Sequence, residues 1–146
     1  MLQPKRSKYA KSFRGRRRGV SLRGSYLAFG EFGLKAMEAA WVTASQIEAT
    51  RKTITHNLKK GGRVWTRIFP DKAISGRPAG KRMGGGKGEI AGYVAVVMPG
   101  RMLFEIAGTT AEIAKDALAE GATKLPIATK IVSKEEPIIN ELFGFE

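Results

Sequence analysis

Apolar positions along this chain change their period several times, and the changes mark out its elements. After Trp41 and Val42, Ile47, Thr50, Ile54 and Leu58 recur at spacings of three and four, which is one face of a helix. Thr43 supplies an N-cap, and Gln46 three residues on completes a capping box. Gly61 and Gly62 predict its end. Residues 63–69 alternate instead, with Val64, Thr66 and Ile68 on one face and Trp65, Arg67 and Phe69 on the other. That pattern predicts a strand, closed by Pro70 and Asp71.

Residues 92–98 and 101–107 read as two strands joined by Pro99 and Gly100, a hairpin signal. The run from Tyr93 to Val97 is apolar on both faces, which predicts a central strand. Thr109 and Glu112 predict a second capped helix with Ile113, Ala114, Ala117 and Leu118 inward and Gly121 at its end. A last strand follows Pro126 at 127–132. Near the start, residues 20–34 alternate loosely between glycines, predicting one or two short bent strands. Strands, helix, strand, long loop, hairpin, helix and strand make an α+β domain. The expected architecture is a two-layer sandwich of a mixed, mainly antiparallel sheet with two helices, plus a basic N-terminal extension and a long glycine-rich loop. The extension covers residues 1–24, the domain 25–133 with its loop at 71–91, and an acidic tail 134–146.

Charge divides the chain differently. Its 146 residues carry a net +13. Residues 1–30 hold nine basic side chains and no acid, residues 31–88 twelve basic and four acidic, residues 89–146 five basic and nine acidic. The first two blocks therefore seek a polyanion and the last does not. With no cysteine and one histidine, disulfides, thiolate metal sites and histidine clusters are excluded. No apolar run approaches the roughly 20 residues of a membrane span. An organellar transit peptide fits poorly, because Gly15, Gly19 and Gly24 break any amphipathic helix there.

Four features carry candidate chemistry. Lys5, Arg6, Lys8, Lys11, Arg14, Arg16, Arg17, Arg18 and Arg23 are spread along a glycine-hinged arm. With no anions to offset them they suit a line of phosphates better than a solubilising tail. Gly80 to Gly88 resembles a nucleotide loop but fails both fingerprints: Lys81 stands where a Walker loop needs its first glycine, and Glu89 where a dinucleotide loop needs its third. What remains is a backbone free to approach a ligand, with Lys81, Arg82 and Lys87 to meet phosphates, or else a floppy surface loop. Trp65 and Phe69 beside Arg63 and Arg67 could stack on bases, although aromatics at alternate strand positions are more often core. His56 shares a basic helix face with Arg51, Lys52, Lys59 and Lys60 and lacks an acidic partner, so it reads as a surface or RNA-facing group. No nucleophile, metal cluster or paired carboxylates support an enzyme, and the 43–60 helix is too narrowly apolar for a membrane surface.

The segments MLQPKRSKYAK, SQIEATRK, GGRVWTRIFPDK, RMGGGKG, YVAVVMPGRMLFEI and KLPIATK, in this order, resemble the bacterial and organellar large-subunit ribosomal protein L-sixteen family, from Met1 to about Ser133. The resemblance starting at Met1 also speaks against a transit peptide. It implies a structural protein without catalytic residues, metal or cofactor. Such a protein binds 23S-type rRNA near the aminoacyl-tRNA site and the peptidyl-transferase region, and helps position the tRNA beside neighbouring large-subunit proteins. The implied rRNA contacts are the arm cations together with Arg51, Lys52, His56, Lys59, Lys60, Arg63 and Arg67. The implied tRNA-proximal loop is Lys81, Arg82, Met83, Gly84 and Lys87. A bacterial cytoplasmic ribosome is expected, with an organellar ribosome as the alternative. Thr66, Ala73 and Tyr93 depart from the family's usual aliphatic, proline and tryptophan. The acidic tail, without a usual counterpart, is expected to meet a neighbouring protein.

Overall fold

A computed structural model describes residues 2–59 and 61–134; Lys60 and the tail from 135 lie outside the described residues. The elements are β1 (Phe32–Ala36), β2 (Ala40–Thr43), α1 (Ala44–Asn57), β3 (Arg63–Thr66), β4 (Lys72–Gly76), β5 (Glu89–Val97), β6 (Met102–Ala107), α2 (Ala111–Ala122) and β7 (Thr129–Ser133). They form an α+β fold with two sheets in place of the expected one. One has strand order β3-β6-β1-β7 and the other β2-β5-β4. Every strand pair in both is antiparallel.

The first helix forms as its pattern predicts. The Thr43 hydroxyl accepts the Gln46 N–H at 3.3 Å, and the Gln46 side chain accepts the Thr43 N–H at 2.9 Å. Two of the helix's otherwise orphaned donors are thus satisfied. Ile47, Thr50, Ile54 and Leu58 are all buried. The chain then reverses through Lys59 and Gly62, both at positive φ.

The second helix departs from expectation at both ends. Its N-cap is Thr110, one residue later than the Thr109 of the sequence reading, and no side-chain hydrogen bond caps it. Ile113 faces outward, 45% exposed. Gly121 does not end the helix; it is buried inside it. A Cβ there would lie 2.6 Å from Ile54 Cγ1, so the missing side chain is what lets α1 and α2 approach. The two helices pack on one another, with α2 against β1 and β7 and α1 against β3. Leu34, Phe104, Ile106, Ile47, Ile54, Ala117 and Leu118 meet in one apolar cluster, which Val42 and Val97 extend into the second sheet.

The expected hairpin at 92–107 is a turn between sheets. The Arg101 N–H donates to Met98 O at 3.2 Å, so Pro99 and Gly100 do reverse the chain. Ala36, at the end of β1, takes the Gly100 N–H at 2.7 Å and gives its own N–H to Arg101 O at 2.8 Å. The turn therefore closes on β1, and β5 and β6 part into different sheets. β5 is central, between β2 and β4. Trp41 and Val42, which precede the helix in the sequence pattern, lie in the strand β2 that runs up to its N-cap. β4 and the first residues of β5 occupy part of the 71–91 segment read as loop, and the segment outside the ladders is 77–88.

A strap covers the outer face of the first sheet. Gly24 O accepts the Met102 N–H at 2.8 Å, and the Glu31 N–H donates to Ile106 O at 2.9 Å. Between these points residues 27–30 cross β6 closely. A Cβ on Gly30 would come within 2.7 Å of Ile106 O, and one on Gly33 within 2.5 Å of Leu27. Both glycines are needed for that approach.

Candidate nucleic-acid interface

The arm has no regular secondary structure, and residues 5–20 are exposed throughout. Gly15, Gly19 and Gly24 take positive φ and serve as its hinges. Within the described residues its cations face rings and backbone carbonyls rather than carboxylates. Lys8 lies 5.3 Å from the centroid of the Tyr9 ring. Arg14 and Arg17 lie 5.9 and 5.0 Å from that of Trp41 on β2. Lys5, Arg6, Arg16, Arg18 and Arg23 are exposed.

The arm and the glycine loop meet. Lys11 Nζ donates to Lys87 O at 2.6 Å, and Lys87 Nζ donates back to Ser12 O. Lys72 on β4 donates to Arg14 O and also faces Trp41. Residues 77–87, which include Lys81, Arg82, Met83 and Gly84, stand exposed, with Gly80, Gly84, Gly85 and Gly86 all at positive φ. Sequence reading proposed the arm and the loop separately and passed over Trp41 and Lys72, which join them. Their proximity depends on strand pairing between β2, β5 and β4, which no local pattern encodes.

The helix-end group is distinct. Lys52, His56 and Lys59 are exposed. Arg51 is engaged at 2.6 Å by Glu48, one turn earlier. The hydrogen bond from Arg51 holds the Glu48 carboxyl below the usual carboxylate range, and the same bond raises Arg51.

The third group corrects the core reading of Trp65 and Phe69. Trp65 is half-buried and stacks on Phe29 at 6.1 Å between centroids. Phe69 lies beyond the end of β3 and is 47% exposed. Val64 and Ile68 turn inward instead. Arg63 faces Trp65 and Arg67 faces Phe29. Arg67 also has a partner that sequence reading missed, the fully buried Glu105 on β6. The Glu105 carboxylate also accepts the N–H groups of Ala28, Phe29 and Gly30, the last at 2.7 Å. Burial alone would push this carboxyl up. The Gly30 and Phe29 N–H groups, Arg67 and the Ala28 N–H outweigh burial and hold it below the usual range.

Among the described residues no cluster of His, Cys, Asp and Glu could hold a metal ion, and no helix is long and apolar enough to cross a membrane. The arrangement can contact phosphates at the arm, the loop and the helix end, and can offer flat rings to bases.

A family model described as ribosomal protein L16p/L10e matches residues 4–132. The large ribosomal subunit protein uL16 of Thermosipho melanesiensis is 57% identical over 136 residues, 93% of this chain and 96% of the relative. Its counterpart in Kosmotoga olearia is 56% identical over the same shares of both chains. The uL16 of Dehalococcoides mccartyi is 52% identical over 139 residues, 95% of this chain and 93% of the relative.

Proposed function

We propose, from the premise that this chain belongs to the ribosomal protein L16p/L10e family, that its arm, glycine loop and helix end are its RNA-facing surfaces. The protein is a structural constituent of the large ribosomal subunit, acts in translation and is not an enzyme. Its partners are 23S-type rRNA, tRNA and neighbouring large-subunit proteins. The relatives are bacterial, which points to the ribosome of a bacterial cytoplasm.

Within that role the residues divide. Lys5, Arg6, Lys8, Lys11, Arg14, Arg16, Arg17, Arg18 and Arg23 follow an rRNA backbone. Lys52, His56, Lys59, Lys60 and Arg63 add a second contact, with Arg51 and Arg67 partly engaged by carboxylates of the chain itself. Lys81, Arg82, Met83, Gly84 and Lys87 extend toward tRNA at the aminoacyl site. The supporting observation is the junction of arm and loop at Lys87, where two exposed basic segments meet through lysines bonded to backbone carbonyls. Like charges held together this way are stabilised by an external polyanion.

Sedimentation of cell extract tests the reading. The protein should migrate with the large subunit and leave it only at high salt. Free protein at low salt would overturn the assignment.

A further inference from the structure

The cleft beneath the arm has features that a general affinity for phosphate leaves unexplained. It is a cavity of about 250 Å³ between the arm and the second sheet, lined among others by Phe13, Arg14, Trp41, Lys72, Ser75 and Lys87. Three of these are cations, and among the described residues no carboxylate lines it. Arg14, Arg17 and Lys72 all lie within 5.9 Å of the Trp41 ring centroid, and Lys87 lies 5.9 Å from that of Phe13. A ring face attracts an exposed cation only weakly and leaves the charge in place, so the group still repels itself. An anion would resolve that.

Two further observations narrow the anion's chemistry. Trp41 Nε1 and Ser75 Oγ are buried and have no hydrogen-bond partner among the described residues. Such atoms are costly to leave unmade, and both belong to residues of the cleft wall. The wall also offers two flat rings, and Phe13 is 93% exposed. A phosphate alone makes no use of rings, and an apolar ligand makes no use of cations. A nucleotide uses both. The volume lies below the roughly 300–1,000 Å³ of pockets that enclose a drug-sized ligand, which leaves room for a single unit. Lys72 and Lys87 each donate one hydrogen bond to an arm carbonyl, and an ammonium carries three donors, so both can still reach a phosphate.

We infer that this cleft holds one unpaired nucleotide of single-stranded RNA, its base against Phe13 and Trp41 and its phosphate among Arg14, Lys72 and Lys87. The inference rests on the RNA-facing reading of the arm and adds a site to it.

The test uses the full chain carrying Trp65→Phe, in which Trp41 is the sole tryptophan. An end-labelled oligoadenylate of about six nucleotides is titrated while anisotropy and tryptophan emission are both read. Anisotropy should saturate and Trp41 emission should fall with it. Lys72→Gln in the same background should shift both curves to about fivefold weaker binding. An abasic strand of equal length should bind with little change in emission. Saturating anisotropy with unmoved Trp41 emission would overturn the cleft while leaving the arm's RNA role intact. Silence in both signals would remove that role and the cleft with it. Equal quenching by the abasic strand would reduce the site to a phosphate pocket and overturn the base contact. Adenosine monophosphate binding as tightly as the oligomer would overturn RNA as the source.

Discussion

Each of the two sheets carries a strap of irregular chain, and the straps are fastened in opposite ways. Residues 24–31 cross the four-stranded sheet, where the buried Glu105 gathers three strap N–H groups and Arg67. Residues 11–17 cross the three-stranded sheet, where lysines hold arm carbonyls and three cations surround Trp41. In the first strap positive and negative groups are matched inside the chain. In the second the positive groups are left in excess. A buried carboxylate that is fully hydrogen-bonded belongs to the fold, whereas unmatched surface cations are complementary to something outside it.

The largest effect should come from breaking the matched strap. Glu105→Ala leaves three N–H groups and a guanidinium without their acceptor and should cost about 3–5 kcal/mol in urea unfolding. Arg67→Gln, which leaves the carboxylate buried but still bonded to backbone, should cost about 2–3 kcal/mol. Acid should act on the same strap. The folded Glu105 carboxyl sits below its ordinary value, so the unfolded chain takes up the proton first as pH falls. Its contribution is complete above the ordinary glutamate value of about 4.3 and is lost as pH falls through the lower folded value. Urea midpoints below pH 4.3 or so should therefore fall more steeply in the native protein than in Glu105→Gln. Parallel curves would show that Glu105 does not carry the acid sensitivity.

Neutralising the unmatched strap should do the reverse. Replacing the basic residues from Lys5 to Arg18 with glutamine, which keeps Leu2 against the core, should change folding stability by less than about 1 kcal/mol. It should also flatten the salt dependence of rRNA binding by about 0.7–0.9 in slope for each phosphate that the arm no longer neutralises. An unchanged slope would remove the arm from the interface. A collapsed fold would erase the contrast between the straps.

Local signals were legible in the sequence, and non-local ones were not. The capping box at Thr43 and Gln46 and the buried stripe from Ile47 to Leu58 depend on residues within a few positions, so spacing alone revealed them. The doubly apolar run at 93–97 announced a central strand for the same reason. The turn at Pro99 and Gly100 was visible, but which sheet each flanking strand joins depends on Ala36, more than sixty residues away. Glu105 resembled any other carboxylate, because its partners at 28–30 lie 75 to 77 positions earlier. Gly121 read as a helix end because the side chain it makes room for, Ile54, is on another helix. For the candidate interface, charge and glycine spacing identified the arm and the loop. The ring that gathers the arm's cations, Trp41, carried no signal of its own.

The smallest predicted effect tests the contrast most directly. Lys72→Gln removes a basic side chain from the arm strap as Arg67→Gln does from the other. Lys72 faces a ring and a carbonyl and shares Trp41 with two arginines. It has no buried carboxylate to strand. Its removal loses one hydrogen bond at an exposed site and relieves repulsion from Arg14 and Arg17, and these oppose each other. Folding stability should therefore shift by no more than about 0.5 kcal/mol in either direction, measured by urea unfolding at low salt, where surface charge acts most strongly. A loss equal to that of Arg67→Gln would mean that the arm is fastened as an integral part of the fold, and the distinction between the two straps would fail.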